Sequence, residues 1–301
     1  MTERDGMKAR AGLQRRALIQ GVMAAMGGAA AGLPWAAQAQ TRPAQRLVVL
    51  GGALTEVVYQ LGAQGLLVGT DTTSLFPEAA QRTPKVGYMR QLSAEGVLSL
   101  RPDVLLGTEE AGPRVVLDQV RSAGVRIELV PASHNWAEVQ RKVTVVGQVV
   151  GRESAAQALQ VRLDAEWARV QQQVAAAPRK PRALFILSHG GSPMVAGTGT
   201  AADALIRFAG GLNAVTGFAG YRPWTAEALA EAAPEVLLNT TQGIEAMGGE
   251  RTFWQRPELA LTPAFSRKAL VAMDANHLLG FGPRLPGAVQ ELHTRMRALV
   301  A

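Results

Sequence analysis

The chain of 301 residues contains no cysteine. That excludes disulfides, a thiolate metal site and a cysteine nucleophile, and it removes the residue on which a bacterial lipid anchor is built. Aromatic residues make up only 5% of the chain; three are tyrosines, Tyr59, Tyr88 and Tyr221, and there are four histidines. No G-x-S-x-G turn is present, and the glycine pairs at Gly190-Gly191 and Gly197-Thr198-Gly199 match no phosphate loop. There is also no basic run with interleaved aromatics, so a formal charge of +7 is a weak argument for nucleic acid, and none is expected as a partner.

What is present starts with a basic and then apolar N-terminus. Arg4, Lys8, Arg10, Arg15 and Arg16 stand against Glu3 and Asp5, which places three of the seven excess positive charges before residue 40. An apolar stretch follows from Ala17 to Leu33, and Ala37-Gln38-Ala39 fits a small-x-small cleavage site. Residues 1–39 therefore read as an export signal cleaved near Ala39. Arg15-Arg16 before Leu18-Ile19 resembles a twin-arginine signal, with an ordinary secretory route as the alternative. The stretch is short and glycine-rich for a membrane span. The mature chain reads as a free periplasmic monomer.

The remainder alternates short apolar runs with helical patterns. Arg46 to Leu50, Leu66 to Gly69, Val104 to Leu106 and Arg126 to Val130 read as strands, with helices at Thr55 to Leu61, Ser93 to Leu100 and Arg114 to Ala123. That alternation specifies a parallel sheet covered by helices, residues 40–134. Residues 135–178 form a linking helical segment without proline before Pro178. Gly147 and Gly151 are candidate breaks, and Ser154 to Ala177 reads as one long helix. Residues 179–301 repeat the pattern, with a strand at Ala183 to Leu187, helices at Thr200 to Ala209 and Thr225 to Ala232, a strand at Val236 to Leu238 and a closing helix from Pro286 to Leu299. The two halves are visibly related. Ser93-Ala94-Glu95 with Arg101-Pro102-Asp103-Val104-Leu105-Leu106 recurs, displaced by 132 positions without a gap, as Thr225-Ala226-Glu227 with Ala233-Pro234-Glu235-Val236-Leu237-Leu238.

Four groups of side chains carry candidate chemistry. Tyr88 follows Gly87 and precedes a helix start, which puts it on a loop, and Arg90 is placed to hydrogen-bond the phenol oxygen and favour its charged form. A tyrosinate oxygen is a protein ligand for ferric haem; the residues alone leave open a loop tyrosine that packs on its neighbours. Glu95 and Glu227 each follow a Ser or Thr cap in the first turn of a helix, where the helix dipole favours negative charge. They read either as plain helix stabilisers or as paired carboxylates that dock on a symmetric partner. His189 follows a strand end, the edge that faces ligands in open α/β sheets, and is the candidate for a second iron ligand. Arg90, Arg222 and Arg251 are candidates to pair with ligand carboxylates. Met89, with Trp224, Met194 and Met247, is a candidate contact for a flat apolar ring.

The chain resembles the haem-specific periplasmic binding proteins of ABC importers. The resemblance is carried by Lys85 to Asp103 with its Gly87-Tyr88-Met89-Arg90 core, by Met194 to Gly197 with Ala201 to Ile206, and by Thr240 to Gly249. It implies two Rossmann-like α/β lobes joined by one long α-helix, the class III, chelatase-like architecture. It implies ferric haem b as transported ligand captured in the cleft between the lobes, Tyr88 as axial iron ligand supported by Arg90, and no chemistry on the ligand. It further implies that Glu95 and Glu227 meet basic residues of a permease dimer driven by a cytoplasmic ATPase. Some members of the family stack two haems, and His189 is the position that matches the second ligand. Carriers of ferric siderophores or corrinoids share the architecture and are the alternative. An exported hydrolase using Ser188 or His189 is a third reading.

Overall fold

The computed structural model of the protein describes residues 42–188 and 193–301. The expected export signal lies outside the described residues. The first lobe contains β1 (Leu47–Val49), α1 (Gly52–Gln60), β2 (Leu67–Thr70), α2 (Ala94–Leu98), β3 (Val104–Thr108), α3 (Arg114–Ser122) and β4 (Arg126–Val130). All four strands are parallel, in the order β2-β1-β3-β4. Every residue of β1 and β3 is buried, as expected of central parallel strands with helices on both faces.

Two helices follow, α4 (Trp136–Val150) and α5 (Glu153–Ala175). The break between them falls at Gly151, which caps α4 in the left-handed region at φ 65°, a conformation that suits glycine. Gly147 stays inside α4 and packs against Ala156 of α5. α5 serves both lobes. Ala156, Leu159 and Leu163 belong to the first lobe's core, while Val170 belongs to the second lobe's. Burying a Leu or Val side chain contributes about 1.5–3 kcal/mol, so Leu163 ties one end of α5 to the first lobe and Val170 the other end to the second.

The second lobe contains β5 (Arg182–Leu187), β6 (Met194–Ala196), α6 (Ala201–Phe208), β7 (Leu212–Asn213), β8 (Tyr221–Pro223), α7 (Ala226–Ala232), β9 (Val236–Thr240), α8 (Thr241–Ala246), α9 (Glu250–Phe253), α10 (Pro263–Arg267), β10 (Leu270–Met273), α11 (Ala275–Leu279) and α12 (Leu285–Val300). β10, β9, β5 and β7 are parallel, whereas β6 and β8 join antiparallel at the edge. The antiparallel ribbon was not legible in the sequence, because its strands are three residues long and Pro223 ends one of them.

The 132-residue repeat is a structural repeat. Ser93 caps α2 through Gly96 N, and Thr225 caps α7 through Ala228 N. Arg101 and Ala233 both leave their helices in the left-handed region, at φ 47° and 42°; the proline that follows each disfavours another helical residue there. Asp103 then accepts from Gln45 N and Arg46 N at 2.8 and 3.0 Å, and Glu235 accepts from Arg182 N at 2.9 Å. Each acid therefore ties the helix exit to the first strand of its own sheet.

Candidate functional site

The C-terminal ends of both sheets face a cleft of about 540 Å³, within the ~300–1,000 Å³ of small-molecule sites. The Tyr88 loop enters it from the first lobe and is fixed by backbone. Val86 N bonds Thr70 O at 2.9 Å, Thr72 N bonds Gly87 O at 3.0 Å, and Gln91 N closes a turn onto Tyr88 O at 2.8 Å. Gly87 makes the bend at φ 97°, where a β-carbon would be strained. Met89 turns inward, 7% exposed, into the core beneath the loop, and also reaches the cleft wall.

At the wall itself, Arg90 Nη1 donates to the Tyr88 phenol oxygen at 2.6 Å. Its Nη2 donates to Glu110 Oε1 at 2.5 Å. Burial opposes the charge on Arg90, but the phenol oxygen and the Glu110 carboxylate outweigh it, and the guanidinium holds its proton more tightly than usual. The phenol oxygen thus accepts from a cation and keeps lone-pair capacity for an electrophile in the cleft.

Several lining residues were not singled out from the sequence. Glu110 is one. Tyr221 faces the cleft from the second lobe, and burial pushes its phenol above the usual range, partly offset by a hydrogen bond with Thr200 and by the charge of Arg90. His134 lies at the floor with φ 50°, its ring 5.3 Å from that of Phe281. The strand-end position of Glu110 was the available signal, since β3 stops at Thr108; Tyr221 sits on the short ribbon strand, which carried none.

Polar contacts between the lobes frame the cleft. Glu56 and Arg284 form a two-armed ion pair at 2.5 and 2.8 Å, and Asn276 Nδ2 donates to Thr73 O at 2.7 Å. Lys142 pairs with Glu138 at 2.5 Å and donates to Phe281 O at 3.0 Å. Glu138 also accepts from Ser133 N and His134 N, both at 2.7 Å. An aromatic series runs alongside. Trp136 stacks on Trp167 at 4.8 Å, and Trp167 meets Phe208 edge-on at 5.0 Å.

The other expected site residues fall elsewhere. Arg222 and Arg251 do not line the cleft. Successive strand residues face opposite sides, so with Tyr221 turned inward, Arg222 turns away and lies 4.7 Å over the Phe218 ring, beside a separate cavity that Trp224 lines. Arg251 is exposed on α9. Met194 and Met247 also miss the cleft, and Ser188 Oγ is engaged by Met247 Sδ at 2.7 Å and Asn239 Nδ2 at 3.2 Å. Glu95 and Glu227 are exposed in the first turns of α2 and α7, outside the cleft. A hydrogen bond from its own amide, then one with Thr225, holds the Glu227 carboxyl below the usual range. His189 lies outside the described residues. Among those described, no three His, Asp or Glu side chains gather to hold a bare metal ion, and no helix is long and apolar enough to cross a membrane.

Comparison with known proteins places these features in a group. A profile described as "Periplasmic binding protein" matches residues 47–277. The solved structure of the periplasmic heme-binding protein BhuT, in complex with two hemes, is 46% identical, with a TM-score of 0.82 over 85% of this chain and 99% of that one. The periplasmic heme-binding protein RhuT from Roseiflexus sp. RS-1, in apo form, is 34% identical at the same TM-score and coverages. An uncharacterized ABC transporter substrate-binding lipoprotein of Bacillus subtilis, YvrC, is 24% identical over 82% of this chain and 78% of its own length.

Proposed function

The chain belongs to the periplasmic binding protein family, and from that premise we propose that it captures ferric haem in the cleft and delivers it to an inner-membrane ABC permease. One observation carries the reading: the Tyr88 phenol stands on the cleft wall with a guanidinium donating to its oxygen at 2.6 Å. Ferric iron takes tyrosinate oxygen as an axial ligand, and a charged donor at hydrogen-bond distance fixes where that oxygen stands. The two haem-binding relatives support the choice of haem over a siderophore or corrinoid.

In this reading Tyr88 ligates the iron, Arg90 stabilises the ligating oxygen, and Met89 seats the loop while touching the porphyrin face. The protein does no chemistry on its cargo. It is exported to the periplasm, with the signal cleaved near Ala39 by either route. Glu95 and Glu227 occupy equivalent places in the two lobes and are free in solvent. They suit a permease dimer whose basic residues repeat by symmetry, with an ATPase on the cytoplasmic side.

The test is a hemin titration followed by absorption. Wild-type protein is expected to bind saturably with the spectrum of a high-spin ferric tyrosinate. Outer partners of a metal ligand are worth about 10–100-fold in affinity. Tyr88→Phe, which removes the ligand and keeps the ring, is expected to lose more than that, together with the tyrosinate band. An unaltered band in Tyr88→Phe refutes the iron ligand, and saturable binding of a siderophore in place of hemin refutes the cargo.

A further inference from the structure

We propose that Glu110 is the positioning residue for the iron ligand, acting through Arg90; this rests on the reading of Tyr88 as that ligand. Arg90 is a long side chain at the cleft edge, 50% exposed, and within its own loop only the Tyr88 phenol accepts from its guanidinium. The group is held by a fork. One arm reaches the phenol oxygen at 2.6 Å and the other reaches Glu110 Oε1 at 2.5 Å. A planar guanidinium held at two points loses its freedom to swing away.

The geometry of the two loops makes this specific. Tyr88 and Arg90 lie in the connection between β2 and α2, whereas Glu110 lies in the connection between β3 and α3. Backbone bonds stitch these loops together. Gly112 N donates to Met89 O and Leu92 N donates to Gly112 O, each at 2.9 Å. Glu109 N is tied to Val130 O at 3.0 Å and Ala111 N to Thr108 O at 2.9 Å, so the backbone on both sides of Glu110 is fixed. The carboxylate therefore stands at a set position relative to the phenol, and it lines the same cleft. Its negative charge has a second effect. It balances Arg90 locally, so the phenol oxygen accepts from a guanidinium already shared with another anion. Such an oxygen keeps more electron density for iron than one facing an unshared cation.

The experiment is a double-mutant cycle on hemin affinity and on the tyrosinate absorption band, using Glu110→Ala, Glu110→Gln, Arg90→Ala and the Glu110→Ala/Arg90→Ala pair. Glu110→Ala is expected to weaken binding by about 10–100-fold and to shift the band. Glu110→Gln, which keeps an acceptor oxygen, is expected to recover part of both. In the Arg90→Ala background, Glu110→Ala is expected to change little further, because its route to the iron is gone. An unchanged affinity and band in Glu110→Ala overturns the proposal. So does a loss of the same size with and without Arg90, which marks a direct contact with the ligand or a general effect on the loop. Tyr88→Phe run alongside separates the failures. If it keeps the band, the ligand assignment falls; if it loses the band while Glu110→Ala does not, only the role of Glu110 falls.

Discussion

Lys142→Met should unfasten the two lobes at the cleft floor. Lys142 and Glu138 are one turn apart on α4, each with a side chain 3% exposed, and their charged atoms are 2.5 Å apart. The attraction within such a pair is largely offset by the cost of drying both charges, so the pair itself is a weak source of stability. Breaking it is another matter. Removing one partner of a buried pair typically costs about 3–5 kcal/mol, because the other charge is left without its counterion. In Lys142→Met the Glu138 carboxylate keeps two amide donors, Ser133 N and His134 N. These compensate in part and place the expected loss near the lower bound, about 3 kcal/mol. The carbonyl oxygens of Gly280 and Phe281 also lose a charged donor across the lobe boundary. At about 2–4 °C per kcal/mol for a chain of this size, the melting temperature should fall by roughly 6–12 °C. The assay is thermal unfolding by circular dichroism at pH 7 on ligand-free protein. The double variant Glu138→Gln/Lys142→Met carries no buried charge at this place and should regain more than half of the loss. A single Lys142→Met variant that melts within about 2 °C of wild type refutes the reasoning. So does a double variant less stable than the single.

Two further outcomes are expected. Glu95→Ala with Glu227→Ala should leave hemin affinity at the wild-type value and cut haem uptake through the permease, because both acids lie outside the cleft; normal uptake by cells carrying the pair discards the docking role. His277→Gln should flatten the dependence of stability on pH. Burial, then repulsion from Arg284, holds the His277 imidazole below its usual 6.5, only partly opposed by Glu291 and Asp274. The unfolded chain therefore takes up that proton first as pH falls through 6.5, and the folded state loses stability below it. Melting temperatures at pH 7.5 and about 5.5 should diverge less in the variant than in wild type; an equal divergence removes His277 as the cause.

Much of the fold was legible because its signals are local. The central strands β1, β3 and β9 read as continuous apolar runs, helix starts read from Ser93 and Thr225, and one of the two candidate glycine breaks, Gly151, is the one that ends α4. α5 spans Glu153–Ala175 where the pattern predicted Ser154 to Ala177. The Tyr88–Arg90 pair was legible for the same reason, since two positions on a short loop cannot move far apart. Glu110 and His134 were not, because each lies on a different loop and nothing in the chain between them shows that the loops meet. That Tyr221 and not Arg222 lines the cleft was not legible, because the three-residue strand β8, whose alternation decides it, was itself invisible.

The amino-acid order alone determined the two related α/β halves, the long helix between them and the phenol beside a guanidinium. All of these follow from periodicity, capping and proline, which act over a few residues. Which side chains line the cleft and how the lobes are held came from the folded arrangement. Glu56 and Arg284 are 228 positions apart, and the energy that joins them is a property of packing at a distance that no local pattern encodes.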